Sequence, residues 1–104
     1  LLGHNFLAYE STDGGTLSAA TAQGDSFHFG SNGGVLRLPV IASLCRILFV
    51  TTHGTVTLSS IPTYTPMEMY ANIYANGENK GRSWNIRSGA FILIGNIDGW
   101  FVLG

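Results

Sequence analysis

The side chains with the greatest potential for chemistry are a single cysteine and three histidines. They are Cys45, His4, His28 and His53. A cysteine nucleophile needs a base beside it and a third group that orients the base. Because Cys45 lies in an apolar stretch beside Leu44, the sequence favours a buried, inert thiol over a catalytic one.

The histidines do not form a recognisable metal-binding motif. They are far apart in the sequence, and no Cys or His pair has the spacing of a metal site. We therefore expect neither a metal site nor a cofactor within one chain. In a homotrimer, one histidine near the three-fold axis would supply three ligands, and His28 or His53 would be the candidate. We interpret His53 instead as a turn residue and His28 as a residue on a strand face.

The acidic residues also lack a catalytic arrangement. Glycosidase chemistry requires two carboxyl groups about 5–10 Å apart. Asp13, Asp25 and Asp98 each adjoin a glycine in a turn signal, and Glu10 lies just before one. Aspartate stabilises such turns through hydrogen bonds to its side chain. Since the sequence contains neither a Gly-x-Ser-x-Gly elbow nor a phosphate-binding loop, we predict that the chain is not an enzyme.

The strongest binding signal is a group of aromatic and polar residues between positions 64 and 84. Aromatic rings beside a polar loop can stack on sugars or anchor a protein interface. The alternative is that the rings fill the core and that the loop over 76–82 is a solvated hairpin loop. The candidate ligand or receptor contacts are Tyr64, Tyr70, Tyr74, Asn76, Glu78, Lys80, Arg82 and Trp84.

The composition indicates a protein that works with partners. Charged residues make up only 11% of the 104 residues and hydrophobic residues 45%, against roughly 25% charged residues in an average soluble protein. So few charges leave apolar surface exposed, and such surface usually marks an interface. Five Lys and Arg are scattered along the chain, so we expect no nucleic-acid partner. The longest apolar run, residues 90–94, is too short to insert into a membrane as a span.

The same composition predicts an all-β fold. Fourteen glycines and many Ser and Thr residues disfavour helices, and short alternating runs recur between turn signals. We predict an antiparallel β-sandwich or jelly-roll-like domain of about 8–10 strands. The expected strands cover residues 5–9, 16–20, 26–29, 35–38, 46–51, 55–59, 68–74, 83–87, 90–95 and 100–103.

We predict one domain, but two parts of the chain differ in how regular their strand pattern is. The pattern of residues 35–104 predicts the sandwich core, in which the apolar strand over 46–51 is expected to be buried on both faces. The final two strands form a hairpin around Asp98-Gly99, a strong hairpin signal. Residues 1–34 are less regular, and we interpret them as N-terminal strands or an arm that docks on a partner.

Residues 35–104 also follow a distinctive order of strands and turns. A strand ending in Leu38-Pro39 precedes a small-residue turn, a basic position and an apolar strand. A glycine turn, the strand Thr55-Val56-Thr57, another apolar strand, a further glycine turn and a closing strand with Trp100 complete the order. This order resembles a β-domain of phage tail fibres, tail-needle tips, head fibres and related virion surface proteins.

The resemblance implies a trimerisation unit, a surface decoration or a host-contact knob, with no catalytic residues. We therefore expect a non-enzymatic virion structural protein, a homotrimeric capsid-decoration or fibre domain at the virion surface. Its partners would be copies of itself and other virion proteins, such as capsid or fibre. The candidate oligomer-interface residues are Phe49, Trp100 and Phe101. The alternative is a carbohydrate- or receptor-binding module that contacts a host-surface glycan through the loops of residues 64–82.

Overall fold

Eleven strands and no helix make up the part of the chain that the computed structural model describes, residues 9–20, 25–42, 45–63 and 69–104. The strands are β1 (Glu10–Thr12), β2 (Thr16–Ser18), β3 (Ser26–Phe29), β4 (Gly34–Leu38), β5 (Arg46–Thr52), β6 (Val56–Ser60), β7 (Ile73–Ala75), β8 (Glu78–Asn79), β9 (Ser83–Ile86), β10 (Gly89–Asn96) and β11 (Gly99–Leu103).

The strands form two sheets that pack face to face. The large sheet has the order β1-β3-β5-β10-β11-β7-β8, and the small sheet has the order β2-β4-β6-β9. The predicted all-β sandwich is therefore confirmed. The pairing is mixed, however, because five of the nine strand pairs are parallel, whereas we expected antiparallel sheets.

The parallel pairs arise because the first six strands alternate between the sheets. β1, β3 and β5 lie side by side in the large sheet, and β2, β4 and β6 lie side by side in the small sheet. After every second strand, the chain thus returns to the same sheet and runs there in the same direction. The first six strands therefore form a coil. The turn signals near Gly14, Gly33 and Gly54 are the corners of this coil, where the chain crosses from one sheet to the other.

Backbone contacts between successive corners hold the coil together. Gly14 N donates to Gly33 O at 2.8 Å, and Gly54 N donates to Gly30 O at 3.0 Å. Gly33 has φ +65°, and a Cβ there would collide with the carbonyl oxygen of Thr55, so this corner requires glycine. Asp13 stabilises the neighbouring corner, since its carboxylate accepts hydrogen bonds from Asn32 N at 2.8 Å and Asn32 Nδ2 at 3.2 Å.

A single hydrophobic core fills the space between the sheets. It contains the inward side chains of both sheets, with strict alternation along β3 and β6, as predicted. Trp100 is its largest side chain, and the indole Nε1 donates to Pro39 O at 2.8 Å. The fully buried residues are Phe27, Phe29, Leu36, Leu38, Leu48, Val50, Val56, Leu58, Ile73, Leu93 and Trp100.

Strand β5 differs from the prediction in its burial. We expected both of its faces to be covered, but only Leu48, Val50 and Thr52 are buried. Ile47, which points the other way, keeps 42% of its surface exposed. Strand alternation therefore places the other side chains of β5 on the outer face of the large sheet.

Other elements also differ in detail. The strand predicted over 68–74 is reduced to β7 plus an isolated bridge between Thr63 and Met69. Cys45 is exposed and precedes β5, so the buried-thiol interpretation was wrong. Of the strand predicted over residues 5–9, residues 5–8 lie outside the described part of the chain. Between residues 9 and 34, the chain contributes β1, β2 and β3 to the two sheets.

The alternation along β10 generates a stability prediction. Leu93 is fully buried between the sheets, whereas its neighbour Ile92 points outward and is 39% exposed. We expect Leu93→Ala to lower the free energy of unfolding by about 2–5 kcal/mol and Ile92→Ala to lower it by about 1 kcal/mol or less. Urea denaturation at low protein concentration measures both variants. Equal losses would contradict the inward and outward assignment.

Candidate functional site

The outer faces of the two sheets have opposite chemistry. The outward residues of the small sheet form a polar face: Thr16, Ser18, Val35, Arg37, Thr57, Ser59, Ser83 and Asn85. The centre of the large sheet instead presents an apolar face: Ile47, Phe49, Ala90, Ile92, Ile94, Phe101 and Leu103. This contrast makes the apolar face the first candidate for a functional surface.

Strand register assembles the apolar face into continuous rows. Ile92 lies between Phe49 on β5 and Leu103 on β11, since it pairs with both. One row further along, Ile94 lies between Ile47 and Phe101 in the same way. Directly opposed residues of paired strands share one face and contact each other, so the three strands β5, β10 and β11 build one hydrophobic surface.

The rows extend onto β7 through an aromatic pair. Tyr74 is the partner of Phe101 in the parallel pair of β7 and β11. Their rings are stacked, with centroids 4.8 Å apart and an interplanar angle of 12°. Tyr74 was predicted as a ligand contact, and the structure places it at the edge of the apolar face, where it shares a groove with Asn76 and Gly77 of the polar loop.

Several residues of the apolar face remain substantially exposed. Ile47 is 42% exposed and Leu103 is 49% exposed. Two shallow grooves meet at Phe49: one of about 370 Å³ runs towards Ile92 and Leu103, and one of about 410 Å³ runs towards His28. A contiguous apolar surface of this kind is typical of an interface.

The second groove leads to a pair of histidines. His28 points outward from β3, and His53 lies in the corner after β5. The ring centroids are 5.5 Å apart and the rings are nearly perpendicular, at 84°. His28 Nδ1 forms a hydrogen bond with Thr51 Oγ1 at 2.8 Å. Sequence reasoning treated these histidines separately, because only the parallel pairing of β3 with β5 brings them together.

Only some of the predicted aromatic and polar contacts share a surface, since Asn76 lines one groove with Tyr74 and another with Trp84. Arg82 covers the ring of Tyr70, with the guanidinium carbon 3.6 Å from the ring centre. Lys80 Nζ lies 4.6 Å above the ring of Trp84 and 3.1 Å from a carboxylate oxygen of Glu78. Cation–π contacts such as these stabilise the side chains that form them.

Trp84 belongs partly to the core. It opposes the buried Leu58 across β6 and β9 and packs against the core cluster. Asn76 is exposed in the turn between β7 and β8 and has φ 54°. Tyr64 lies outside the described residues. Among the described members of the predicted site, the rings of Tyr70 and Trp84 are each contacted by a cation of the same chain.

The three residues predicted as oligomer contacts lie in two different environments. Phe49 and Phe101 belong to the apolar face, but Trp100 is 0% exposed in the core. The backbone of Gly95 closes over the indole, since a Cβ at Gly95 would lie 2.6 Å from the ring. The assignment of Trp100 to an interface was therefore wrong, because its inward position leaves no surface for a partner.

Two of the carboxylates that were considered for chemistry, Asp13 and Asp25, have structural partners. Asp13 holds a corner of the coil, and Asp25 forms an ion pair with Arg46 at 3.0 Å. Within the described residues, no group of three or more His, Cys, Asp or Glu side chains is arranged to hold a metal ion. The described part of the chain also contains no candidate for a membrane-spanning helix.

The placement of Trp84 predicts a structural role for its ring. We expect Trp84→Ala to lower the free energy of unfolding by about 2 kcal/mol, less than the loss for a fully buried tryptophan. Lys80→Ala, which removes the cation above the ring and its exposed ion pair with Glu78, should cost about 1 kcal/mol or less. Urea denaturation distinguishes the two. A loss for Trp84→Ala no larger than that for Lys80→Ala would show that the ring adds nothing to the core.

Comparison with known proteins adds no assignment: no protein-family model, curated protein or solved structure matches this chain. The function must therefore be inferred from the geometry described above.

Proposed function

We propose that this chain is a non-enzymatic assembly module whose copies associate through the apolar face of the large sheet. The observation that carries the proposal is the contrast between the two outer faces. The polar face carries mainly Ser, Thr, Asn and Arg, whereas Ile47, Ile92 and Leu103 are exposed on the apolar face. Burying such side chains stabilises an association by about 25 cal/mol for each Å² of apolar surface.

The outer face of the whole large sheet, with the apolar face at its centre, is large enough for a stable pair. Seven strands at a spacing of about 4.8 Å and about five residues at 3.3 Å each give this outer face dimensions of roughly 34 by 17 Å. This estimate agrees with the molecular extents of 37 × 31 × 24 Å. Two such faces would bury roughly 1,100–1,200 Å² in total, near the lower end of the range for specific protein interfaces.

A second copy of the chain is the occupant that the face fits best. The outward positions of the described strands in the large sheet carry no Asp, Glu, Lys or Arg, so the face offers no charge complement to a charged partner. Two identical apolar faces complement each other without any such charge. Sheets pack face to face at about 10 Å with interdigitating side chains, which suits the Ile and Phe rows.

Face-to-face contact favours a two-fold pair as the unit of assembly. The same patch meets itself across a two-fold axis, whereas a three-fold axis requires two different patches to meet. The homotrimer that the sequence resemblance implies would therefore need a contact beyond the apolar face. We retain the surface of a phage particle, as a capsid decoration or fibre domain, as the proposed setting, and its support is the sequence resemblance of residues 35–104 alone.

A carbohydrate- or receptor-binding function has less support from the geometry. Such a module would use Tyr70, Tyr74 and Trp84 as stacking surfaces beside the polar loop. Arg82 and Lys80 instead contact two of these rings, and Tyr74 is stacked on Phe101. The exposed apolar face has no role in that function, so assembly accounts for more of the structure.

A charge placed in the apolar face tests the proposal. We expect Ile92→Asp to raise the dissociation constant of the dimer at least about 100-fold, because each copy must then bury an unpaired carboxylate. Sedimentation velocity between low and high micromolar concentrations measures the association, and circular dichroism checks the fold. Asn85→Asp is the matched control, since it adds the same charge to the polar face and should leave association unchanged.

Three results would contradict the proposal in different ways. A wild-type chain that remains monomeric throughout the concentration range would show that the chain does not self-associate. Equal dissociation constants for wild type and Ile92→Asp would show that the copies do not associate through the apolar face. A wild-type mass of three chains would replace the two-fold pair with a three-fold arrangement.

A further inference from the structure

The groove between Phe49 and His28 is lined by His28, whose ring contacts that of His53. We propose that His28 and His53 bind a divalent transition metal ion, zinc foremost, and that the same two histidines of a second copy complete its coordination. The inference rests on the proposed association of two copies, and it adds a ligand that would control that association.

The separation of the two rings matches that of imidazoles on one metal ion. A zinc–nitrogen bond is about 2.0–2.1 Å long, the ring centre lies about 1.1 Å beyond the nitrogen, and tetrahedral zinc spans about 109° between ligands. Two rings on the same ion are then roughly 5 Å apart between centres. The observed centroid distance is 5.5 Å, so small rotations of the side chains suffice.

The second ring nitrogen of His28 already has the partner that a metal ligand needs. Its Nδ1 forms a hydrogen bond with Thr51 Oγ1 at 2.8 Å, which leaves Nε2 as the metal-binding atom. Histidine ligands characteristically use their other nitrogen in this way, because the hydrogen bond fixes the orientation and tautomer of the ring. Thr51 is therefore assigned as a positioning residue.

The backbone holds both histidines in place. His28 is the register partner of Thr51 in the parallel pair of β3 and β5. His53 N donates to Phe29 O at 3.1 Å, which fixes the corner after β5. A site held by paired strands loses less conformational entropy on metal binding than a site on free loops.

A second copy explains how two histidines become a complete site. One chain supplies two ligands, and its described residues include no group of three or more metal-binding side chains. A two-fold axis presents each residue twice, which gives four imidazoles, the number that tetrahedral zinc accepts. His28 shares a groove with Phe49 of the apolar face, so the metal would lie at the margin of the proposed interface.

Zinc titration of the purified chain tests the inference. The experiment uses a Cys45→Ser background, because Cys45 is exposed and a free thiol can itself bind zinc. We expect one zinc ion per two chains, and an apparent dimer dissociation constant at least about tenfold lower with zinc than with a chelator. Isothermal titration calorimetry gives the stoichiometry, and sedimentation velocity gives the dissociation constant.

Variants of the histidines supply the controls. His28→Gln and His53→Gln should each abolish the zinc effect while retaining the dimer that forms in the presence of chelator. His4→Gln removes the remaining histidine of the chain and should leave the zinc effect intact. Circular dichroism establishes that each variant is folded.

The outcomes separate this inference from the proposed function. A dimer in chelator that does not respond to zinc would overturn the metal site and leave the apolar face supported. A chain that is monomeric in chelator and dimeric with zinc would support the metal site and overturn the apolar face as the sufficient cause of association. One zinc ion bound per monomer, without dimerisation, would overturn the shared site.

The positioning role of Thr51 has its own test. Thr51→Val retains the branched shape of the side chain but removes the hydroxyl group that binds His28 Nδ1. We expect zinc affinity to fall about tenfold, as measured by competition with a chromogenic chelator. Unchanged affinity would show that the hydroxyl group does not orient the ring.

Discussion

The rest of the structure depends on one constraint. Each sheet must bury its inward row of side chains in the core between the two sheets. The fully buried Trp100 lies in that layer, with its N–H bonded to Pro39 and the backbone of Gly95 against its ring. Because side chains alternate along a strand, fixing the inward row also fixes which residues face outward. The polar and apolar faces are therefore consequences of core packing.

The coil of the first six strands determines which residues become neighbours on those faces. Each corner sends the chain to the opposite sheet, so residues about twenty positions apart become adjacent through parallel pairing, as His28 and Thr51 do. The second half of the chain then adds β10 and β11 beside β5 as an antiparallel hairpin. The apolar face is thus assembled from both halves, and neither half could form it alone.

Much of the fold could be predicted from the sequence, because alternation and turn residues are local signals. The strand with Phe27 and Phe29 and the closing hairpin around Asp98-Gly99 are examples. The sheet to which each strand belongs could not be predicted, since a glycine turn looks the same whether it closes a hairpin or forms a corner. The histidine pair was missed for that reason. The separation of Tyr70, Tyr74 and Trp84 likewise depends on pairing that the sequence does not encode locally.

The apolar run of β5 shows a further limit of sequence reasoning. Continuous hydrophobicity indicates that both faces of a strand are covered, but it does not say whether the same chain or another one covers them. Ile47, on the outward side of β5, keeps 42% of its surface exposed. In the proposed dimer, a second copy would supply that cover, and the original interpretation of β5 would then hold for the assembly instead of the single chain.

The edges of the large sheet explain why such an assembly would be closed. Exposed edge strands promote open-ended pairing between copies, but the edge strands here are β1, with three residues, and β8, with two. Beside β8, the turn residues Asn76 and Gly77 have positive φ, so the extended strand ends there and this edge stays short. In the proposed dimer, association would use the face instead, where identical patches meet once and no further copy can add. A chain with only 11% charged residues could then expose one apolar face, because the contact proposed to bury it would also end the growth of the assembly.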